Sequence, residues 1–172
     1  MIYLIANNCR LSAATIRELN EAGCGDGDTV VRFNLAVHPT MRVFGGRTDV
    51  LFVRGNAEGF HGMRRDGSHV RVSSARRMVM ICGEAKETDL ESFGRMYDGV
   101  RERYGCPCEF MRVGRPSARK TYSSGYLAWR YFRESSPGEP VTCVGFDAPS
   151  NHAHDIGEER KEIRGDAMTR LV

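Results

Sequence analysis

Thr29-Val30-Val31-Arg32-Phe33-Asn34 is a β-branched, apolar run that stops on a short amide, and loop residues Gly23 to Asp28 lead into it. The pattern recurs on both sides. Upstream, Met1 to Ala6 reads as a buried strand, Asn7-Asn8-Cys9-Arg10 as a turn, and Ser12 to Leu19 as a helix entered at Leu11 and Ser12. Downstream, Thr48-Asp49-Val50-Leu51-Phe52-Val53-Arg54-Gly55-Asn56 is a further strand closing on Gly-Asn, and Arg77 to Gly83 is a fourth. A helix is expected from the capping box Thr88-x-x-Glu91, with Leu90, Phe93, Tyr97 and Val100 at helical spacing. Lys120 to Ser135 reads as helical after Gly125, Val141 to Asp147 as the last strong strand, and Glu158 to Arg170 as a terminal helix. Gly55 to Ser74, rich in glycine, arginine and histidine, reads as a mobile loop. Strands alternating with helices define an α/β fold, Rossmann-like, with a mostly parallel sheet covered by helices on both faces.

The totals agree with one domain over residues 1–172. A chain of this size buries about 70% of the surface its unfolded form exposes, so it needs no staples. The net charge of +3 comes mostly from scattered arginines. It suits phosphates, or peripheral contact with an anionic membrane face, better than nucleic acid, which usually demands a concentrated basic patch. The six cysteines stand at irregular spacings behind no secretory leader, so reduced thiols and a cytoplasmic location are expected. Cys106-Pro107-Cys108 lacks a second pair at zinc spacing and reads as a structural turn. Asp26-Gly27-Asp28 looks like the Asp-x-Asp that holds a divalent metal in many glycosyltransferases, but it precedes a strand and belongs at the sheet's amino edge. The pair reads as a turn.

Ligands of parallel sheets bind at the carboxyl ends of the strands. Three of those ends carry asparagine (Asn7, Asn34, Asn56) and a fourth carries Asp147. Short amides and a carboxylate converging there suit ribose hydroxyls, a base edge and a phosphate. Singly, each is better read as a turn residue.

Four segments resemble, in order, those of the sialyltransferases. Ile5-Ala6-Asn7-Asn8-Cys9-Arg10-Leu11 is similar to the first nucleotide-binding turn of the bacterial members, Gly-Asn-Gly-Pro-Ser-Leu, with Asn8, Cys9 and Arg10 standing where Gly-Pro-Ser is usual. Val30-Val31-Arg32-Phe33-Asn34 followed by Gly45-Gly46-Arg47-Thr48-Asp49 resembles the large sialylmotif. Ser123-Ser124-Gly125-Tyr126-Leu127-Ala128, then Val141 to Asp147 ending Gly-Phe-Asp, resembles the small one. His154-Asp155-Ile156-Gly157-Glu158-Glu159 is similar to the very small motif, His-x-x-x-x-Glu.

The resemblance implies an inverting glycosyltransferase fold, a glycosyltransferase-A-like variant, with a CMP-sugar donor, a glycan acceptor and no metal. It implies that Asn7, with Asn8 beside it, and Asn34 hold the nucleotide and its phosphate, and that Asn56 lines the sugar. Ser123, Ser124 and the amides at Gly125 grip phosphate or carboxylate, a role a helix N-terminus also suits on physical grounds. Asp147 takes the ribose or cytosine end, His154 is the general base, and His152 is the nearest candidate for assisting the leaving phosphate. No tyrosines follow Gly-Phe-Asp, where bacterial members use them on that phosphate, and the stretch between the small and very small motifs is short. Arg119 and Lys120 are the basic residues nearest before Ser-Ser-Gly.

Plainer roles compete at each position. His154 alone is an ordinary helix-start residue, and Asp155, Glu158 and Glu159 are acids that complement a helix dipole. Tyr126, Trp129 and Phe132 belong to the core. Two rival readings of the whole chain remain: a CMP-binding domain that has lost catalysis, and a small Rossmann-like RNA-binding protein.

Overall fold

A computed structural model describes residues 1–7, 10–34, 36–54, 69–70, 75–82, 105–112, 122–147 and 156–172, with 36–38, 69–70, 82 and 112 described by backbone alone. Its strands are β1 (Ile2–Ile5), β2 (Thr29–Phe33), β3 (Ala36–Val37), β4 (Val50–Arg54), β5 (His69–Val70), β6 (Arg77–Cys82), β7 (Cys108–Arg112), β8 (Val141–Val144) and β9 (Thr169–Leu171). The helices are α1 (Ala13–Ala22), α2 (His38–Met41), α3 (Ser124–Ser135) and α4 (Ile156–Gly165), and a tight turn, Val43–Gly46, follows α2.

Seven strands form one sheet in the order β7-β6-β4-β2-β1-β8-β9, and every pairing in it is parallel. β3 and β5 pair antiparallel in a separate two-stranded ribbon. Alternation along the strands supplies two apolar faces. Ile2, Leu4, Val31, Phe33, Val50, Phe52, Val79 and Ile81 meet Tyr126 to Trp129 and Phe132 of α3, with Ile163 of α4. On the opposite face Tyr3, Ile5 and Val30 meet Ile16 and Leu19 of α1. Helices therefore cover both faces of a Rossmann-like α/β sheet, as the alternation of elements requires, and the three aromatics of α3 lie in its core.

The helix starts follow capping chemistry. Ser12 accepts from the Thr15 amide at 3.0 Å, and Ser123 accepts from that of Tyr126 at 3.2 Å. Gly23 closes α1 at a φ of +76°, a conformation that favours glycine.

Much of the large-motif segment holds the fold together. Arg32 is 1% exposed and donates to three backbone carbonyls, Thr40 and Val43 at 2.7 Å each and Arg47 at 3.2 Å. Burial pushes its guanidinium down to about 10, so it stays charged at neutral pH. Asp49 accepts from the Val30 amide at 2.9 Å and from Arg47 Nε at 3.0 Å, and ion-pairs with Arg76 at 3.4 Å. Phe44, Gly45 and Gly46 turn the chain between these anchors with φ of +51°, +59° and +79°.

Two expectations need correction, and one strand was missed. The terminal helix ends at Gly165, because Asp166 accepts from the Met168 amide at 3.1 Å and the Thr169 hydroxyl at 2.6 Å, and the chain turns into β9. β7, which begins at Cys108 of the Cys-Pro-Cys turn, was not legible as a strand. His69 and Val70, read as loop, pair with Val37 and Ala36. The helix expected from Thr88 and the rest of the Gly55–Ser74 loop lie outside the described residues.

Candidate functional site at the carboxyl edge of the sheet

From β1 the chain lays down β2, β4, β6 and β7 on one side, then returns to place β8 and β9 on the other. The order therefore reverses between β1 and β8, and the crevice past their carboxyl ends is where ligands of such sheets bind. Asn7 follows β1 there, and Gly145-Phe146-Asp147 follows β8 with Gly145 at a φ of +71°.

Two asparagines brace this edge. Asn7 Nδ2 donates to the Phe33 carbonyl at 2.7 Å. Asn34, in the left-handed region at a φ of +49°, accepts from the Arg54 amide at 2.9 Å through Oδ1. Side-chain amides thus link β1 to β2 and β2 to β4 just past the ends of the strands. Their predicted role in holding a nucleotide is narrowed accordingly: Asn7 Nδ2 and Asn34 Oδ1 are engaged with backbone. Asn34 Nδ2 has no partner among the described residues.

Above the edge sits the start of α3. Ser123 is its N-cap, and both its amide and its hydroxyl donate to one carboxylate, Glu159, at 2.7 and 2.6 Å. Glu159 is 6% exposed. It is a buried clasp between α4 and α3, where a surface acid complementing the dipole of α4 was the simpler reading, and it gives Ser123 a structural task at the place expected to grip the donor. The next residue, Arg160, donates from Nε to the Phe146 carbonyl at 2.5 Å. Consecutive residues of α4 therefore hold both halves of the small-motif segment.

Ser124 Oγ accepts from Arg54 Nε at 3.2 Å. The Phe146 ring lies on Gly125, where an added Cβ would come within 2.8 Å of it. A side chain at 125 would thus force the Phe146 ring to shift, whatever the amide there does for a ligand. Gly125→Ala is expected to lower stability by about 1–3 kcal/mol, the usual effect of overpacking. Adding Phe146→Leu to it should recover part of the loss in a urea melt. A Gly125→Ala variant as stable as the parent would show that the ring moves aside freely, although it also packs edge-on to Phe33 at 6.4 Å between centroids.

Asp147 is exposed beyond β8. Asn8, Asn56, His152 and His154, with Arg119 and Lys120, lie outside the described residues. Asp26 and Asp28 sit at the opposite edge, as their position before β2 requires. Asp28 accepts from the Gly25 amide at 2.8 Å and ion-pairs with the Met1 amine at 3.1 Å, and both interactions hold its carboxyl below the usual range. A groove of about 520 Å³ also opens at that amino edge, lined by Met1, Tyr3, Leu19, Thr142, Met168 and Arg170 among others, far from the strand ends that carry the candidate residues.

Two residues of the site were not singled out beforehand. Glu159 was quoted as part of a motif without a task, and Arg54 was passed over for Asn56. The available signal for Arg54 was a lone cation closing the apolar run Val50 to Val53.

Compared with protein-family models, curated protein sequences and solved structures, the chain has no match in any of the three. No helix among the described residues is long and apolar enough to cross a membrane.

Proposed function

We propose that the chain is an inverting glycosyltransferase of the sialyltransferase kind, moving sialic acid or a related nonulosonic or octulosonic acid from its CMP-sugar to a glycan hydroxyl. The observation that carries this reading is the meeting, at one sheet edge, of residues from all four motif-like segments. Asn7, Asn34, Ser123 to Gly125, Gly145 to Asp147 and Glu159 are drawn together there, with Glu159 on Ser123 and Phe146 on Gly125 as direct contacts.

The reaction asks for little covalent participation by the protein. The bond from the anomeric carbon to the phosphate oxygen breaks and its electron pair leaves with CMP. The acceptor oxygen attacks that carbon from the opposite face, and its proton passes to His154, whose unperturbed pKa of about 6.5 suits the task. His152 supports the departing phosphate, and the α3 start favours negative charge by its dipole. Asp147 receives the ribose or cytosine end. In this reading no metal takes part.

A thermal-shift series tests it. CMP and CMP-sialic acid should raise the melting temperature, while UMP, GMP and AMP do much less. A ligand at about 100 times its dissociation constant adds about 2.7 kcal/mol, which is readily measured. An equal response to all the nucleotides would remove the cytidine assignment.

A further inference from the structure

Arg54 ends β4 and turns its side chain across the carboxyl edge to the start of α3. Its Nε donates to Ser124 Oγ at 3.2 Å and Nη2 to the Tyr122 carbonyl. Both partners are neutral oxygens. No carboxylate of the described residues lies within the 4.0 Å of an ion pair, and the nearby negative group, Glu159, already receives two bonds from Ser123. A guanidinium carries five N–H donors in a rigid fork, so three remain beyond those two bonds. Burial holds this guanidinium below its usual range, with Glu159 opposing the shift. A cation withdrawn from water is costly unless an anion compensates it, and among the described residues none is in contact. The fork lies against the first turn of a twelve-residue helix, where the backbone also favours negative charge.

We propose that Arg54 holds the phosphate of the donor nucleotide, as the cation of the anion subsite at the switch-point crevice. The role rests on the nucleotide reading above. A planar fork matches a phosphate oxygen pair better than a point charge does, which makes arginine and lysine unequal here.

The test compares the affinities of CMP and cytidine, measured by calorimetry, in wild type, Arg54→Gln and Arg54→Lys. Gln keeps an amide donor for Ser124 and Tyr122, and Lys keeps the charge without the fork. Wild type should prefer CMP over cytidine. Arg54→Gln should lower that preference on the order of 10- to 100-fold, the worth of a charge-assisted hydrogen bond, with cytidine binding nearly unchanged. Arg54→Lys should fall between, and it carries the test alone if the glutamine variant does not fold. A CMP-to-cytidine ratio unchanged in the variants, while wild type still selects cytidine nucleotides, overturns the role of Arg54 and leaves the nucleotide reading standing. A loss confined to CMP-sialic acid relative to CMP also overturns it, assigning the cation to the sugar carboxylate. Wild type binding neither CMP nor cytidine overturns both.

Discussion

His154→Ala is expected to fold and bind CMP as the parent does, yet to release CMP from CMP-sialic acid 10²–10⁴-fold more slowly, the usual worth of a positioned general base. The separation follows from the task. The imidazole acts on the attacking hydroxyl, of acceptor or of water, and makes no claim on the nucleotide. The sign of the pH dependence is fixed likewise. Only the neutral ring accepts a proton, so the wild-type rate should fall as pH drops through the histidine pKa, about 6.5 when unperturbed, and this acidic limb should vanish in the variant. His152→Ala is the companion measurement: it should slow departure of the phosphate, and less so for donors whose nucleotide leaves easily. Near-normal turnover in His154→Ala with loss in His152→Ala would show that the two histidines exchange roles. Tight CMP binding with no turnover in wild type would favour a nucleotide-binding domain without catalysis.

Arg32→Met is expected to lower stability on the order of 3–5 kcal/mol, the largest effect foreseen for the fold. Replacing a whole buried ion pair with apolar groups is often harmless, because both charges go together. Here the acceptors are the main-chain carbonyls of Thr40, Val43 and Arg47, which no substitution removes. Each orphaned carbonyl costs about 1–3 kcal/mol, partly relieved by entering water. At roughly 2–4 °C per kcal/mol for a chain of this length, the melting temperature should drop by about 6–20 °C. Arg32→Lys should sit between, since one ammonium cannot reach three carbonyls in the geometry of the fork. A methionine variant as stable as the parent would mean that α2 and the turn Val43–Gly46 are held by packing alone.

The readings that depended on neighbours in the chain were largely sound. Apolar runs at Ile2–Ile5, Thr29–Phe33, Val50–Arg54, Arg77–Cys82 and Val141–Val144 are strands. Ser12 and Ser123 cap helices, and Asp26 and Asp28 lie at the amino edge because they precede a strand. Where a strand was short or followed a turn without a strong apolar run, as in β7 and β9, the local pattern carried no usable signal. The candidate site was half legible: Asn7, Asn34 and Asp147 do lie at carboxyl ends, but nothing local disclosed that two of their amide atoms brace backbone.

By itself, then, the sequence determined an α/β sheet, its covered faces and the position of Asn7, Asn34 and Asp147 at its carboxyl edge, because strand periodicity, capping and turn chemistry act over a few residues. Only the tertiary structure decided which of them meet. The reversal between β1 and β8 is a matter of strand order, which no single run encodes. Arg54 reaches Ser124 across 70 residues, and Glu159 reaches Ser123 across 36. Such pairs form because the folded sheet and its helices leave buried polar groups that must find partners, and those partners are set by position in space.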